Sequence, residues 1–157
     1  MQVGDRLICI FIEPVQPGLR FVEWPLHITL IPWFRAKLSS DELAEAIRQK
    51  LQAVNSFTLT VSEDAHFGYR GQKIVSLIQL PSPLEAIALK LRQILKTQKA
   101  WLVDESTKAV FSFRPHITVQ GNKRLSKGDS FMCHMVAIVE QKGDYKEVVA
   151  EVELKNG

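Results

Sequence analysis

Hydrophobic positions follow two rhythms along this chain, one with the period of a strand and one with the period of a helix. Residues 6–13 are an almost unbroken apolar run with β-branched and aromatic members, which predicts a strand buried on both faces. Pro14, Pro17 and Gly18 end it in a loop. Residues 24–31 predict a second strand, closed by Pro32. The period then changes. Over residues 39–54, Leu43, Ala46, Ile47, Leu51 and Val54 recur on one helical face, and Ser39 with Glu42 has capping-box spacing. Residues 57–62 alternate as a strand, the polar stretch 63–72 predicts a hairpin or loop, and residues 73–80 return as a strand. A second helix opens at Ser82, with Pro83 in its first position and Glu85 reaching back. Its stripe is Leu84, Ile87, Ala88, Leu91, Ile94 and Leu95. Residues 98–108 read as a loop around Trp101, and 110–120 as a strand. Residues 121–129 form a polar, basic turn, and 132–141 pairs with 146–154 across Gly143-Asp144.

This order is α+β, and its layout suggests a duplicated unit in which each half gives a strand, a helix and an antiparallel pair. At 157 residues the chain can bury one sizeable core, and no linker divides it. With 46% apolar and 24% charged residues it falls outside the disordered and fibrous classes. The balance of 20 basic to 17 acidic residues permits a polyanionic partner without demanding one. Met1 to Arg6 lacks the basic-then-apolar order of a signal peptide, and the run from Leu7 is too short to span a membrane, so a cytoplasmic location is expected. Cys9 and Cys133 lie in apolar strands and are expected to be buried and reduced. The Cys133-His134 dipeptide would be a poor chelate, because adjacent strand residues point apart.

The candidate chemistry lies in a repeated tetrapeptide. His27-Ile28-Thr29-Leu30 returns as His116-Ile117-Thr118-Val119 in the other half of the chain, and an aromatic residue, Trp24 or Phe113, precedes each histidine by three positions. In a strand, His27 and Thr29 share one face while Ile28 and Leu30 enter a core, and His116 and Thr118 do the same over Ile117 and Val119. A lone His-x-Thr on an apolar strand is ordinarily a half-exposed polar pair. Its repetition in similar apolar settings points to function.

The two motifs resemble the His-x-Thr-x signature of the 2H phosphoesterase superfamily, and the chain is most similar to its 2′-5′ RNA ligase and cyclic phosphodiesterase branch. The resemblance extends over nearly the whole length in chain size, motif spacing and element order. It implies a two-lobed, pseudo-twofold fold in which antiparallel sheets flanked by helices face a central cleft. The chain would then be a single domain, 1–157, made of two pseudo-symmetric lobes. It also implies His27, Thr29, His116 and Thr118 as the catalytic set.

An unperturbed imidazole titrates near ~6.5, so one of two histidines can be neutral at neutral pH while the other is protonated. The neutral ring would take a proton from water and the protonated ring would give one to the departing alkoxide, while the threonines donate to non-bridging oxygens. With proton transfer and charge stabilisation supplied, no metal or other cofactor is expected. The natural partner is an RNA end or nucleotide carrying a 2′,3′-cyclic phosphate, acted on by a monomer. The resemblance favours opening to a 2′-phosphate, with 2′-5′ ligation as the reverse. Sequence leaves 2′-5′ oligonucleotides, cyclic dinucleotides and a non-catalytic RNA-end binder open as alternatives. Neither a Gly-x-Ser-x-Gly elbow nor a His-Glu-x-x-His helix is present.

Beyond the motifs, Arg114 would share the face of His116 in a regular strand and could pin a phosphate. Trp33 and Phe34 are either packing residues or a rim for a base. His66 and Tyr69, in the expected loop, are candidate substrate contacts. Tyr69, Arg70, Lys123 and Arg124 could extend a nucleic-acid path or be solvated surface. His134 reads as a structural histidine in an apolar strand.

Overall fold

Six consecutive buried residues make β1 (Arg6–Phe11) the strand that others must flank on both sides. The computed structural model describes residues 1–104 and 113–156. After β1 come β2 (Arg20–Phe21), β3 (His27–Arg35), α1 (Ser40–Lys50), β4 (Phe57–Phe67), β5 (Lys73–Ile78), α2 (Leu84–Thr97), β6 (Trp101–Leu102), β7 (His116–Thr118), β8 (Ser130–Cys133), β9 (Met135–Gln141) and β10 (Lys146–Glu153). The strands join in the order β2-β10-β9-β1-β3-β7-β5-β4-β8, with β6 added to β3. The ladders between them are antiparallel. The architecture is α+β, as expected.

The two faces of this sheet differ in kind. α1 packs on β10, α2 on β3, and the helices on each other. They bury Leu43, Ile47, Leu84, Ile87 and Leu91 against Ile8, Ile10, Ile28, Leu30 and Ile117. The other face carries a smaller cluster of Leu7, Cys9, Phe11, Ala137, Val139 and Val148, with Val15, Phe21, Trp24 and Trp33 packed against it. No helix is long and apolar enough to cross a membrane among the described residues.

α1 starts where its cap signal places it. Ser39 Oγ accepts from the Glu42 amide at 3.1 Å, and the Glu42 carboxylate accepts from the Ser39 amide at 3.0 Å. Ser39→Ala is expected to cost about 1 kcal/mol of unfolding free energy, read from urea denaturation. In α2 the Ser82 amide and hydroxyl both donate to Glu85.

Several boundaries differ from the sequence reading. Pro32 does not close β3. Arg6 faces Phe34 and Ile8 faces Ile31, so the single residue Leu7 stands opposite both Pro32 and Trp33. A bulge of this kind leaves one residue unpaired and so tolerates a proline. A second register shift between Ile8 and Cys9 resets the alternation, which is why Leu30 and Ile31 are both buried. β4 continues through the polar stretch to Phe67, past a shift between Val61 and Asp64, and a 3₁₀ turn at Tyr69–Gly71 joins it to β5. Residues 132–141 are not one strand: the chain breaks at His134, with β8 pairing β4 and β9 pairing β1 and β10. His134 is exposed at that break, and its carbonyl accepts from Leu154 N at 2.7 Å. Of the expected strand 110–120, residues 110–112 lie outside those described, 113–115 and 119 are not in a strand, and only His116–Thr118 form β7. The expected loop 98–108 instead contains β6, paired with β3, and its residues 105–108 lie outside those described.

Candidate active site

β3 and β7 are neighbours near the middle of the sheet, with Ile28 opposite Ile117. Both isoleucines are buried against the helices, so the residues flanking them turn to the helix-free face. Antiparallel pairing then sets His27 across from Thr118, and Thr29 across from His116. The four side chains occupy the corners of a small rectangle, histidines on one diagonal and threonines on the other. Diagonal neighbours in such a ladder lie about 7–8 Å apart, which leaves room for one tetrahedral anion between the imidazoles.

Each ring is held in the same way. His27 Nδ1 lies 2.9 Å from the Pro25 carbonyl, and His116 Nδ1 lies 2.8 Å from the Arg114 carbonyl. A carbonyl can only accept, so Nδ1 carries the proton in both rings and Nε2 is left with its lone pair. An aromatic side chain fixes each ring plane. Trp24 stacks on His27 at 4.2 Å and 28°, and Phe67 meets His116 edge-on at 4.8 Å and 69°. Phe11, Phe21 and Trp33 surround Trp24.

Burial pushes the His27 pKa below the ordinary imidazole value, against the Pro25 hydrogen bond, and the nearby His116 lowers it further. Burial lowers His116 as well, against its own hydrogen bond to Arg114, and the charges of Lys73 and Arg114 add to the shift. Both shifts favour the neutral imidazole in the free protein, so an anion beside either ring, or a lower pH, helps to charge it.

The remaining candidates separate. Phe34 is fully buried in the helix-side core and takes no part in a rim, because the bulge at Pro32 turns it inward. Trp33 is half-buried and reaches the site through Trp24, at 6.3 Å. His66 lies in β4 rather than a loop; next to Phe67, it points to the opposite face, with Nδ1 3.2 Å from the Gly71 carbonyl. Tyr69 is 73% exposed in the turn beyond Phe67, with the Arg70 guanidinium 5.1 Å from its ring. Arg114 precedes β7 instead of extending it, and its guanidinium sits 5.0 Å over Phe67. Arg124 pairs with Asp64.

Sequence reasoning missed Phe67, which it placed in a loop, and Lys73. Of the two aromatic residues three positions before the histidines, Trp24 does stack on its histidine, but Phe113 packs with the helix-side core. Among the described residues no three His, Cys, Asp or Glu side chains gather as metal ligands. Cys9, the ladder partner of Thr29, is buried and unbridged, and burial raises its pKa; burial likewise pushes the Cys133 thiol up to about 12. A cavity of about 420 Å³ lies elsewhere, on the α2 side, between Ile31, Pro32, Arg92, Lys96 and Trp101.

Two histidine–threonine strands thus lie side by side on the open face of a helix-backed antiparallel sheet. The family model of the 2′-5′ RNA ligase superfamily matches residues 13–149, and the chain belongs to that superfamily, as an enzyme of the 2H phosphoesterase type. Comparison with curated proteins gives no match. Among solved structures, E. coli LigT complexed with NADP+ superposes with a TM-score of 0.63 at 15% identity, covering 99% of this chain and 100% of that one. A structure described as a phosphoesterase gives 0.61 at 16% identity, covering 98% and 99%. One from Thermus thermophilus gives 0.59 at 15% identity, covering 97% and 98%. At these identities the likeness is one of fold.

Proposed function

We propose that the protein is a metal-independent cyclic phosphodiesterase that opens 2′,3′-cyclic phosphates on RNA ends or nucleotides to 2′-phosphomonoesters. The reading places the site between two pseudo-symmetric halves of one domain, with His27, Thr29, His116 and Thr118 as the catalytic set. The observation that carries it is the matched pair of Nδ1–H to carbonyl hydrogen bonds, which leaves two free Nε2 atoms on one face across an anion-sized gap. E. coli LigT has been crystallised with 3′-AMP and with NADP+, which supports a nucleotide-type substrate.

The bound cyclic phosphate monoanion favours uptake of a proton from solvent by one imidazole, which becomes the acid. The neutral ring accepts a proton from water as the water oxygen bonds to phosphorus. The P–O3′ bond breaks, and the protonated ring gives its Nε2 proton to the departing oxygen. The proton gained by one ring balances the proton lost by the other. Thr29 and Thr118 donate to the non-bridging oxygens, where charge builds up. With an RNA 5′-hydroxyl in place of water as the nucleophile, the same steps form a 2′-5′ linkage.

The test is the pH dependence of kcat/KM on 2′,3′-cyclic nucleotides in the presence of EDTA. Activity falls below the pKa of the base, which must be neutral, and above that of the acid, which must be protonated. Both rings titrate below the ordinary value of about 6.5 in the free protein, so a bell with its maximum on the acid side of that value is expected. A profile that climbs to a plateau in alkali, or activity abolished by EDTA, would overturn the reading.

A further inference from the structure

The two flanks of the site are chemically unlike. Around His27 stand Trp24, Phe11, Phe21 and Trp33, and the Lys146 ammonium lies 5.8 Å over the Trp24 ring. Around His116 stands one aromatic ring, Phe67, set among cations. Arg114 lies 5.0 Å over that ring. Lys73 is the ladder partner of Phe67, and Val75, two residues along, is the partner of Thr118, so Lys73 shares the histidine face. Its aliphatic stem lies along Gly68, where a Cβ would come 3.4 Å from Lys73 Cγ and where φ is +81°. Glycine fits that backbone, and the turn keeps the lysine stem against it.

Ion pairs with carboxylates hold Arg20, Arg35, Arg48, Arg124 and Lys142. Among the described residues neither Lys73 nor Arg114 has such a partner. Two cations beside a histidine oppose its protonation, and both do lower the His116 pKa. An anion seated between them would relieve that opposition. The reacting phosphate belongs between the imidazoles, so the anion at Lys73 is a different one.

We propose that Lys73, with Arg114, forms a second anion subsite on the His116 flank, which takes the phosphodiester adjacent to the reacting phosphate and makes an oligonucleotide end, rather than a lone nucleotide, the preferred substrate. The inference rests on the phosphoesterase reading above and adds Lys73 as a specificity-determining residue. It also orients the substrate: the terminal nucleoside lies toward the aromatic His27 flank, and the rest of the strand leaves past Lys73.

The experiment compares a nucleoside 2′,3′-cyclic phosphate with a dinucleotide ending in the same cyclic phosphate, using wild type, Lys73→Met and Lys50→Met. Methionine keeps the unbranched stem on Gly68 and removes the charge. Lys50 is exposed at the end of α1, on the other face of the sheet. The wild type is expected to favour the dinucleotide by about fivefold in kcat/KM, mostly through KM, with the preference shrinking as salt rises. Lys73→Met should lose that preference and raise the His116 imidazole pKa in an NMR titration; Lys50→Met should do neither. An equal preference in Lys73→Met, or none in the wild type, overturns the subsite. If the wild type turns over neither substrate, the phosphoesterase reading falls instead. The subsite is then judged on Kd for a 3′-phosphorylated dinucleotide: a several-fold rise in Lys73→Met supports it, and no change overturns it.

Discussion

His116→Ala is expected to lower kcat for 2′,3′-cyclic nucleotide opening by about 10²–10⁴-fold, and His27→Ala by a comparable factor. In the proposed mechanism the two losses are alike because each ring would supply one proton transfer to the same transition state, from the same tautomer and across the same gap. The double variant should cost far less than the product of the two, since a mechanism broken at one end gains little from the other. Both rings are half-buried on the helix-free face, outside the main core, so truncating either leaves that core intact. Folding is checked by circular dichroism, and kcat by single-turnover measurement at the pH optimum. Either variant keeping more than about a tenth of the wild-type kcat would remove its histidine from the acid–base pair. If the Trp24 stack steadies His27, Trp24→Ala should move the pH profile as well as the rate, whereas a substitution felt only through stability would leave the profile in place.

What could be read from sequence follows a physical line. Local signals survived: the Ser39–Glu42 box and the Ser82–Glu85 pair act within four residues of chain, so tertiary packing has little chance to override them. The motif strands were legible because alternation is enforced on both sides of Ile28 and Ile117, each buried against the helices. The rest depended on distant partners. Pro32 reads as a strand end until β1 is laid beside it and a bulge absorbs the missing amide. Residues 63–67 are polar because β4 there is paired on only one side and open to water, which looks the same as a loop in sequence. Phe67 reaches His116 only through the β4–β5 pairing. Trp24 and Phe113 occupy equal places relative to their histidines, yet one covers the imidazole and the other fills the core. The repeat therefore locates the histidines and threonines without locating what holds them.

Phe34→Ala is expected to destabilise the protein by about 3–5 kcal/mol, the cost of emptying a fully enclosed aromatic site. Phe34 is 0% exposed and sits opposite Arg6 in β1 and Leu102 in β6. The Arg6 guanidinium lies 5.9 Å from its ring while donating to the carbonyls of Ala36 and Leu38. Arg6 is itself buried, and desolvation already lowers its pKa, so losing the ring removes packing from a cation that has little water to replace it. Trp33→Ala, one residue away but half-buried on the other face, should cost clearly less stability. The contrast between neighbours is the consequence of the bulge, and it separates two accounts of this segment. If Phe34 lined a nucleotide rim, its truncation would raise KM and leave the urea midpoint almost where it was. A core residue gives the opposite: a midpoint lowered by the full cavity cost, with KM of the folded fraction within about twofold of wild type because the ring lies on the helix side of the sheet, away from His27 and His116.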